Sequence, residues 1–137
     1  NYEEMIKAIR EKDTEQAFHY AHTLKGAVRT LLKFPVGACI LTEGGKIYTG
    51  CNFENASFGL TICAERNAVG SAIADGESKI KAAAIFSPKM DNCTPCGACR
   101  QVLSEFKSDE GLDIITKVPD GIKVYPIEEL LPQSFVL

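Results

Sequence analysis

The amino-acid sequence predicts an α/β protein, a three-layer α/β/α domain built on a mixed five-stranded sheet. Two observations lead to this prediction. Short apolar runs of strand length alternate with longer segments whose apolar residues recur at helical spacing, and strands that alternate with helices need crossover connections. The length of 137 residues, 45% of them hydrophobic, suits one domain with its own core. We therefore expect a single domain over residues 1–137.

The elements are expected in the order helix, hairpin, helix, strand, helix, strand, strand, helix. Residues 1–33 carry an apolar stripe at helical spacing and predict an N-terminal helical segment, which ends at Pro35. Residues 36–41 and 46–53 have strand character and predict the hairpin. The remaining predicted elements are helices over 62–75 and 95–106, strands over 81–86, 114–118 and 122–125, and a terminal helical turn over 127–131.

The predicted hairpin turns at Gly44-Gly45, a pair typical of two-residue connections. Such a turn pairs Cys39 with Gly50. Side chains alternate between the two faces of a strand, so this register places Cys39 and Cys51 on opposite faces and excludes a disulfide between them.

The composition limits both the partners and the compartment. A formal net charge of −3 provides no basic face for nucleic acid, and a small, near-neutral substrate fits better. No apolar run approaches the length of a membrane span, and the first residues do not begin a secretory signal. Six cysteines in such a chain favour reduced thiols and metal binding over disulfides. We therefore expect a cytoplasmic protein.

Two short segments have the pattern of helix starts that carry thiols. Thr61 and Thr94 stand where N-cap oxygens are expected, and Pro95 falls at a first helical position. Cys63 and Cys96 would then lie in first turns, where free backbone N–H groups and the helix dipole favour a thiolate over a thiol.

Three thiolates that converge from two helix ends predict a zinc site with three protein ligands. Cys63, Cys96 and Cys99 form this set. Cys93 has the same spacing to Cys96, but Pro95 starts the helix after Cys93 and leaves it outside the first turn. With three ligands the fourth zinc position stays open for water, as in catalytic rather than structural sites. We expect one zinc ion per chain.

Glu65 is the candidate catalytic group. It follows the ligand Cys63 by two residues, which places a carboxylate beside the metal without binding it. In that position the carboxylate can exchange protons with water and with a substrate.

Asn52 and Glu54 leave the second predicted strand and point to the same face by alternation. An amide and a carboxylate side by side can bind the hydroxyls of a sugar. A polar strand end that turns into a loop explains the same pattern, and the residues alone leave both interpretations open.

Taken together, these segments resemble the zinc-dependent cytidine deaminases of the small, homotetrameric type. The resemblance covers about residues 34–135, and its segments are far more specific together than the zinc motif alone. One departure lies at Thr30-Leu31-Leu32-Lys33, where family members usually carry Pro-Tyr-Ser. The matching segments are Phe34-Pro35-Val36-Gly37-Ala38, Gly50-Cys51-Asn52-Phe53-Glu54-Asn55-Ala56-Ser57, Cys63-Ala64-Glu65-Arg66, Pro95-Cys96-Gly97-Ala98-Cys99-Arg100-Gln101-Val102-Leu103 and Leu130-Leu131-Pro132-Gln133-Ser134-Phe135.

The resemblance implies a cytidine-deaminase-like fold, a nucleoside substrate and a homotetramer, with hydrolytic deamination of cytidine and deoxycytidine in pyrimidine salvage. It implies that Cys63, Cys96 and Cys99 bind zinc and that Glu65 shuttles protons. It also implies that Arg66 hydrogen-bonds the thiolates and offsets their negative charge.

Five substrate-binding residues are implied by the same resemblance. Asn52 and Glu54 would hold the ribose 3′-hydroxyl. Phe34 would pack on the pyrimidine, and the Ala64 backbone would help to recognise the base. Phe135 would reach the pocket of a neighbouring subunit, which makes the tetramer part of the site.

Three alternatives compete with this interpretation. A deaminase of another nucleoside or nucleoside analogue belongs to the same class, although relatives that act on nucleotides and nucleic acids usually have His in place of Cys63. A structural zinc module lacks an obvious fourth ligand here and leaves Glu65 without a role. A redox Cys-x-x-Cys pair is poorly matched by Pro95 and by the remote third cysteine.

Overall fold

The computed structural model describes residues 34–137. The strands are β1 (Gly37–Thr42), β2 (Ile47–Cys51), β3 (Ile80–Phe86), β4 (Asp113–Val118) and β5 (Gly121–Pro126). The helices are α1 (Ala64–Ala74), α2 (Gly97–Glu105) and α3 (Ile127–Leu130), with a 3₁₀ turn at Phe58–Leu60 before α1. The predicted order of elements is confirmed from the hairpin onward, whereas the helical segment predicted over residues 1–33 lies outside the described residues.

The five strands form one mixed sheet in the order β2-β1-β3-β4-β5. Strand β1 runs antiparallel to both β2 and β3, and β4 runs antiparallel to β5. Strands β3 and β4 are parallel, because α2 connects them as a crossover helix. The mixed five-stranded sheet of the predicted fold class is confirmed.

The three helices pack on one face of this sheet. Their buried side chains share a cluster with residues of β1, β3 and β4, including Ile40, Ile85 and Ile114. The opposite face carries a second cluster of Cys39, Ala82, Ala84 and Ile115, and no helix within residues 34–137 contributes to it. The described part of the chain therefore contains the sheet and one helical layer of the α/β/α arrangement.

The hairpin between β1 and β2 closes through three loop residues rather than the predicted two. The Thr42 N–H donates to the Lys46 carbonyl at 2.9 Å, and the Gly45 N–H donates to the Thr42 carbonyl at 3.0 Å. Gly45 has a φ of 84°, the left-handed conformation that ends a three-residue hairpin loop. The Gly44-Gly45 pair therefore lies inside a longer turn.

The extra loop residue shifts every predicted pair of the hairpin by one position. Cys39 lies opposite Thr49 rather than Gly50, and Cys51 lies opposite Gly37. Since Gly37 and Cys39 share a face of β1, Cys39 and Cys51 point to the same face, and the prediction of opposite faces was wrong. No disulfide joins these two cysteines.

Gly50 determines how closely α1 approaches β2. A Cβ atom at this position would lie 2.5 Å from the Ala64 carbonyl oxygen and 2.5 Å from the Ala68 backbone nitrogen. Only glycine allows the strand backbone to approach the helix backbone this closely. The contact fixes the first turn of α1 against the sheet.

Helices α1 and α2 begin later than the sequence predicts. Cys63 and Cys96 are themselves the N-cap residues, with extended ψ angles of 155° and 168°. Thr61 and Thr94 therefore lie two residues before the caps, and Pro95 precedes the cap instead of occupying the first helical position. The prediction that the two cysteines lie in first turns was wrong, although an N-cap side chain still lies beside the free N–H groups of the first turn.

Candidate active site

Three thiols converge where the N-terminal ends of α1 and α2 meet. The sulfur atoms of Cys63, Cys96 and Cys99 all lie within 4.8 Å of one another, and residues 34–137 contain no other such group of potential metal ligands. The Cys63 and Cys96 Sγ atoms are 3.8 Å apart. Two thiolates at ~2.3 Å from a tetrahedral zinc ion are separated by about that distance. The donor set therefore fits zinc.

The environment of the three thiols is uneven. Burial raises the pKa of Cys63, and a hydrogen bond from Arg66 partly opposes this. Burial and then the charge of Glu65 raise the pKa of Cys99 far above its usual range. Burial alone would raise the pKa of Cys96 as well. Hydrogen bonds from the Cys99 backbone N–H and from the neighbouring thiols outweigh burial and lower the Cys96 pKa. A bound cation is what would make all three thiolates stable together.

Glu65 lies in the first turn of α1 and is 4% exposed. Its Oε2 accepts a hydrogen bond from the Cys99 Sγ at 3.7 Å. Burial raises the pKa of the carboxyl group, which hydrogen bonds from the backbone and from Cys99 only partly offset. The side chain is therefore a buried carboxyl in contact with the cluster, and its affinity for a proton is increased.

Arg66 links the cluster to the preceding loop. Its Nη2 donates to the Thr61 carbonyl at 3.3 Å and to the Cys63 Sγ at 3.7 Å. Its buried Nε has no hydrogen-bond partner among the residues that the structure describes. The guanidinium group therefore has the position and the donors to offset the negative charge of metal-bound thiolates.

Cys93 lies apart from the three thiols, buried within the large core cluster. The neighbouring Asn92 holds this loop in place, a structural role that was not predicted from the sequence. Asn92 has a φ of 51°, and its Oδ1 accepts hydrogen bonds from Thr116 Oγ1 at 2.7 Å and Tyr125 Oη at 3.0 Å. The sequence contains no local signal for this role, because both partners come from distant strands.

Asn52 and Glu54 lie side by side, as strand alternation predicted. Asn52 Nδ2 donates to Glu54 Oε1 at 3.4 Å and to the Phe34 carbonyl at 2.9 Å. Asn52 Oδ1 accepts from the Val36 N–H at 2.8 Å. The amide therefore fastens the backbone on either side of Pro35 and brings Phe34 close to Glu54.

The Glu54 carboxylate is also held from the side of the thiol cluster. Its Oε2 accepts from Thr61 Oγ1 at 3.3 Å, and Thr61 is the residue whose carbonyl receives the Arg66 guanidinium. A chain of direct contacts thus runs from Phe34 through Asn52 and Glu54 to the thiol cluster. The structure brings these predicted residues together at the cluster.

The other two predicted substrate-binding residues lie in different surroundings. Ala64 is fully buried at the first position of α1, where the backbone N–H has no partner inside the helix. Phe135 is 70% exposed, and its carbonyl accepts from Gln101 Nε2 at 3.3 Å. The Phe135 side chain therefore has little packing within its own chain.

A mixed sheet in an α/β fold, three thiols at two helix ends and an adjacent buried carboxyl match the pattern of a catalytic zinc protein. Structural zinc sites are closed by four protein ligands, and residues 34–137 place only three in this cluster.

Comparison with known proteins identifies the family. The family model for the cytidine and deoxycytidylate deaminase zinc-binding region matches residues 11–111. A cytidine deaminase from Sporosarcina psychrophila is 43% identical over 103 residues, which cover 75% of this chain and 76% of the relative. The chain belongs to the zinc-dependent cytidine deaminase family.

Two solved structures have the same fold. The crystal structure of cytidine deaminase from Burkholderia pseudomallei has a TM-score of 0.72 and 34% sequence identity, covering 88% of this chain and 98% of the other. The enzyme from Mycobacterium tuberculosis has a TM-score of 0.69 and 37% identity, with 85% and 91% covered. These similarities confirm the predicted fold class.

Proposed function

We propose that the protein catalyses the zinc-dependent hydrolytic deamination of cytidine and deoxycytidine, which yields uridine or deoxyuridine and ammonia. One observation carries this proposal. The buried carboxyl of Glu65 lies against Cys99 in a cluster of three thiols, which pairs a three-ligand metal site with a proton carrier. Membership of the cytidine deaminase family supports cytidine as the substrate.

Zinc held by Cys63, Cys96 and Cys99 would supply an acidified water molecule as the nucleophile that attacks C4 of the base. Glu65 takes one proton from this water and delivers it to N3 of the pyrimidine. It then takes the remaining proton of the oxygen added at C4 and passes it to the amino nitrogen, so that the C4–N bond breaks, ammonia leaves and C4 becomes a carbonyl. The raised pKa of its carboxyl favours this role, because a proton carrier works best with a pKa near the working pH. Arg66 offsets the excess negative charge of the thiolates.

The nucleoside is bound by the residues between Phe34 and the thiol cluster. Phe34 packs on the pyrimidine, and the free N–H of Ala64 helps to recognise the base. Asn52 and Glu54 bind the ribose 3′-hydroxyl. Because the Asn52 side chain already donates to Phe34 and Glu54 and accepts from the Val36 N–H, the Glu54 carboxylate is the stronger hydrogen-bond acceptor left for the sugar.

We further propose that residues 1–137 form one domain, with a helical segment over 1–33, and that four copies assemble into a homotetramer. The exposed side chain of Phe135 supports contact with a neighbouring subunit's pocket. A role in cytoplasmic pyrimidine salvage is consistent with a nucleoside substrate. Among residues 34–137, no helix is both long and apolar enough to cross a membrane.

The ultraviolet absorbance of cytidine provides the direct test. We expect the absorbance to change from that of cytidine to that of uridine when the zinc-loaded protein is added, because the amino group on C4 is replaced by a carbonyl oxygen. A chelator that strips the metal should stop the change, and added zinc should restore it. Zinc-loaded protein that leaves cytidine unchanged would exclude cytidine as the substrate and leave a deaminase of another nucleoside or a structural zinc module as the explanation.

Sugar recognition gives a second prediction. Cytidine that lacks the 3′-hydroxyl should lose about 10–100-fold in kcat/KM, because an unpaired buried polar group costs ~1–3 kcal/mol. Deoxycytidine, which lacks only the 2′-hydroxyl, should lose little. Glu54→Ala should remove the difference between cytidine and the 3′-deoxy analogue. Steady-state kinetics of both proteins on the three nucleosides would check this, and equal treatment of cytidine and its 3′-deoxy analogue by the wild type would contradict it.

A further inference from the structure

Arg100, in α2, binds two separate parts of the chain through three hydrogen bonds of one guanidinium group. Its Nε donates to the Pro95 carbonyl at 2.7 Å. Its Nη1 donates to the Leu130 carbonyl at 2.8 Å, and its Nη2 to the Thr94 Oγ1 at 3.3 Å. Only a planar fork with several donors can reach all three acceptors at once.

The bond to Pro95 bears directly on a metal ligand. The Pro95 carbonyl and the Cys96 nitrogen belong to the same planar peptide group. By holding this carbonyl, Arg100 therefore fixes the orientation of the peptide group from which the Cys96 side chain projects. Pro95 is fully buried, which fixes the other side of this peptide group.

Cys96 depends on such support more than the other two ligands do. Cys99 is buried and Cys63 is partly buried, whereas Cys96 is exposed. Packing therefore holds Cys99 in place but contributes little at Cys96. The position of the Cys96 Sγ is set mainly by its backbone, and Arg100 holds that backbone.

The hydrogen bond to the Leu130 carbonyl connects the loop that carries Cys96 to the C-terminal segment. Leu130 is the last residue of α3, and the chain continues from there to Phe135. The next residue of α2, Gln101, donates to the Phe135 carbonyl at 3.3 Å. Consecutive side chains of α2 thus hold both ends of the segment 130–135.

We propose that Arg100 is a positioning residue that holds the zinc ligand Cys96 in place and ties it to the C-terminal segment. This inference rests on the proposed zinc site. It assigns to Arg100 an effect on zinc retention.

Zinc release into a chromogenic chelator measures this role without any nucleoside present. We expect Arg100→Met, which keeps an unbranched stem but no donor, to release zinc at least about tenfold faster than wild type, as is typical when a group that supports a metal ligand is removed. Arg100→Lys, which can satisfy one acceptor at a time, should fall between the two. The matched control is Lys107→Met. This variant loses the 2.8 Å contact from Lys107 Nζ to Glu128 in α3. Neither residue touches the loop that carries Cys96. The Lys107→Met protein should therefore release zinc at a rate within about twofold of wild type.

The outcomes separate the two proposals. If Arg100→Met does not fold, the zinc-release rate of Arg100→Lys tests the positioning role instead. Folded Arg100 variants that release zinc at the wild-type rate would overturn the positioning role alone, as would equal acceleration by Lys107→Met. Wild-type protein that holds no zinc would overturn the proposed function together with this inference. Faster release by the Arg100 variants, together with a larger loss of melting temperature in the zinc-loaded than in the stripped protein, would support the role.

Discussion

Glu65→Gln is expected to keep its zinc and its fold while kcat falls by several orders of magnitude. Glutamine has nearly the shape of glutamate but cannot carry a proton between two atoms. The proposed mechanism uses Glu65 at N3 and again at the leaving amino group, and a positioned proton carrier typically contributes ~10²–10⁴-fold in a step. The measurement is steady-state deamination of cytidine with the zinc content determined on the same sample.

The matched control for this variant is Glu105→Gln, which makes the same chemical change at an exposed position at the end of α2. It should leave kcat unchanged. A Glu65→Gln protein within about tenfold of wild type, a difference of only ~1.4 kcal/mol in the barrier, would remove Glu65 from the mechanism.

Cys99→Ser should abolish zinc binding, whereas Cys93→Ser should retain one zinc ion per chain. Both thiols are buried, and each lies three residues from Cys96, so the two variants make the same chemical change in similar surroundings. Only Cys99 belongs to the metal cluster. A serine hydroxyl is a far poorer zinc ligand than a thiolate, and loss of a direct ligand should exceed the ~10–100-fold drop in metal affinity that follows changes around a site.

Metal analysis of the purified variants would check this prediction, with thermal unfolding to show that both proteins fold. Zinc retained by Cys99→Ser and lost by Cys93→Ser would reverse the ligand assignment. Because the Cys99 pKa is raised without metal, zinc binding should also release protons, and calorimetry in buffers of different ionisation enthalpy would detect them.

The parts of the fold that depend on local patterns could be predicted from the sequence. The order of elements follows from the change between strand and helix periodicity, and the thiol cluster follows from two short motifs at helix starts. The hairpin register could not be predicted, because Gly44-Gly45 fits a two-residue turn as well as the three-residue loop that forms. Helix starts were misplaced because the extended ψ of Cys63 and Cys96 has no sequence signal.

The contacts that support the site were beyond sequence reasoning for a different reason. Arg100 and the Leu130 carbonyl are separated by 30 positions, and a backbone acceptor gives no indication of which residue it will bind. The same is true of Asn52, whose amide holds the backbone at Phe34 and Val36. From the sequence, Asn52 is interpreted as a sugar-binding residue or as part of a polar strand end. Neither interpretation includes the hydrogen bonds by which its side chain holds the backbone on both sides of Pro35.

Gly50 also limits how the proposed substrate site can be reshaped to accept other nucleosides. The distance between α1 and β2 is set by contact between two backbones, so it cannot be tuned by exchanging one side chain for a larger or smaller one. Any added atom at position 50 would push Ala64, and with it the Glu65 carboxyl, away from the sheet. Variant libraries intended to change the substrate range should therefore leave position 50 unchanged and vary the residues around Phe34 and Glu54.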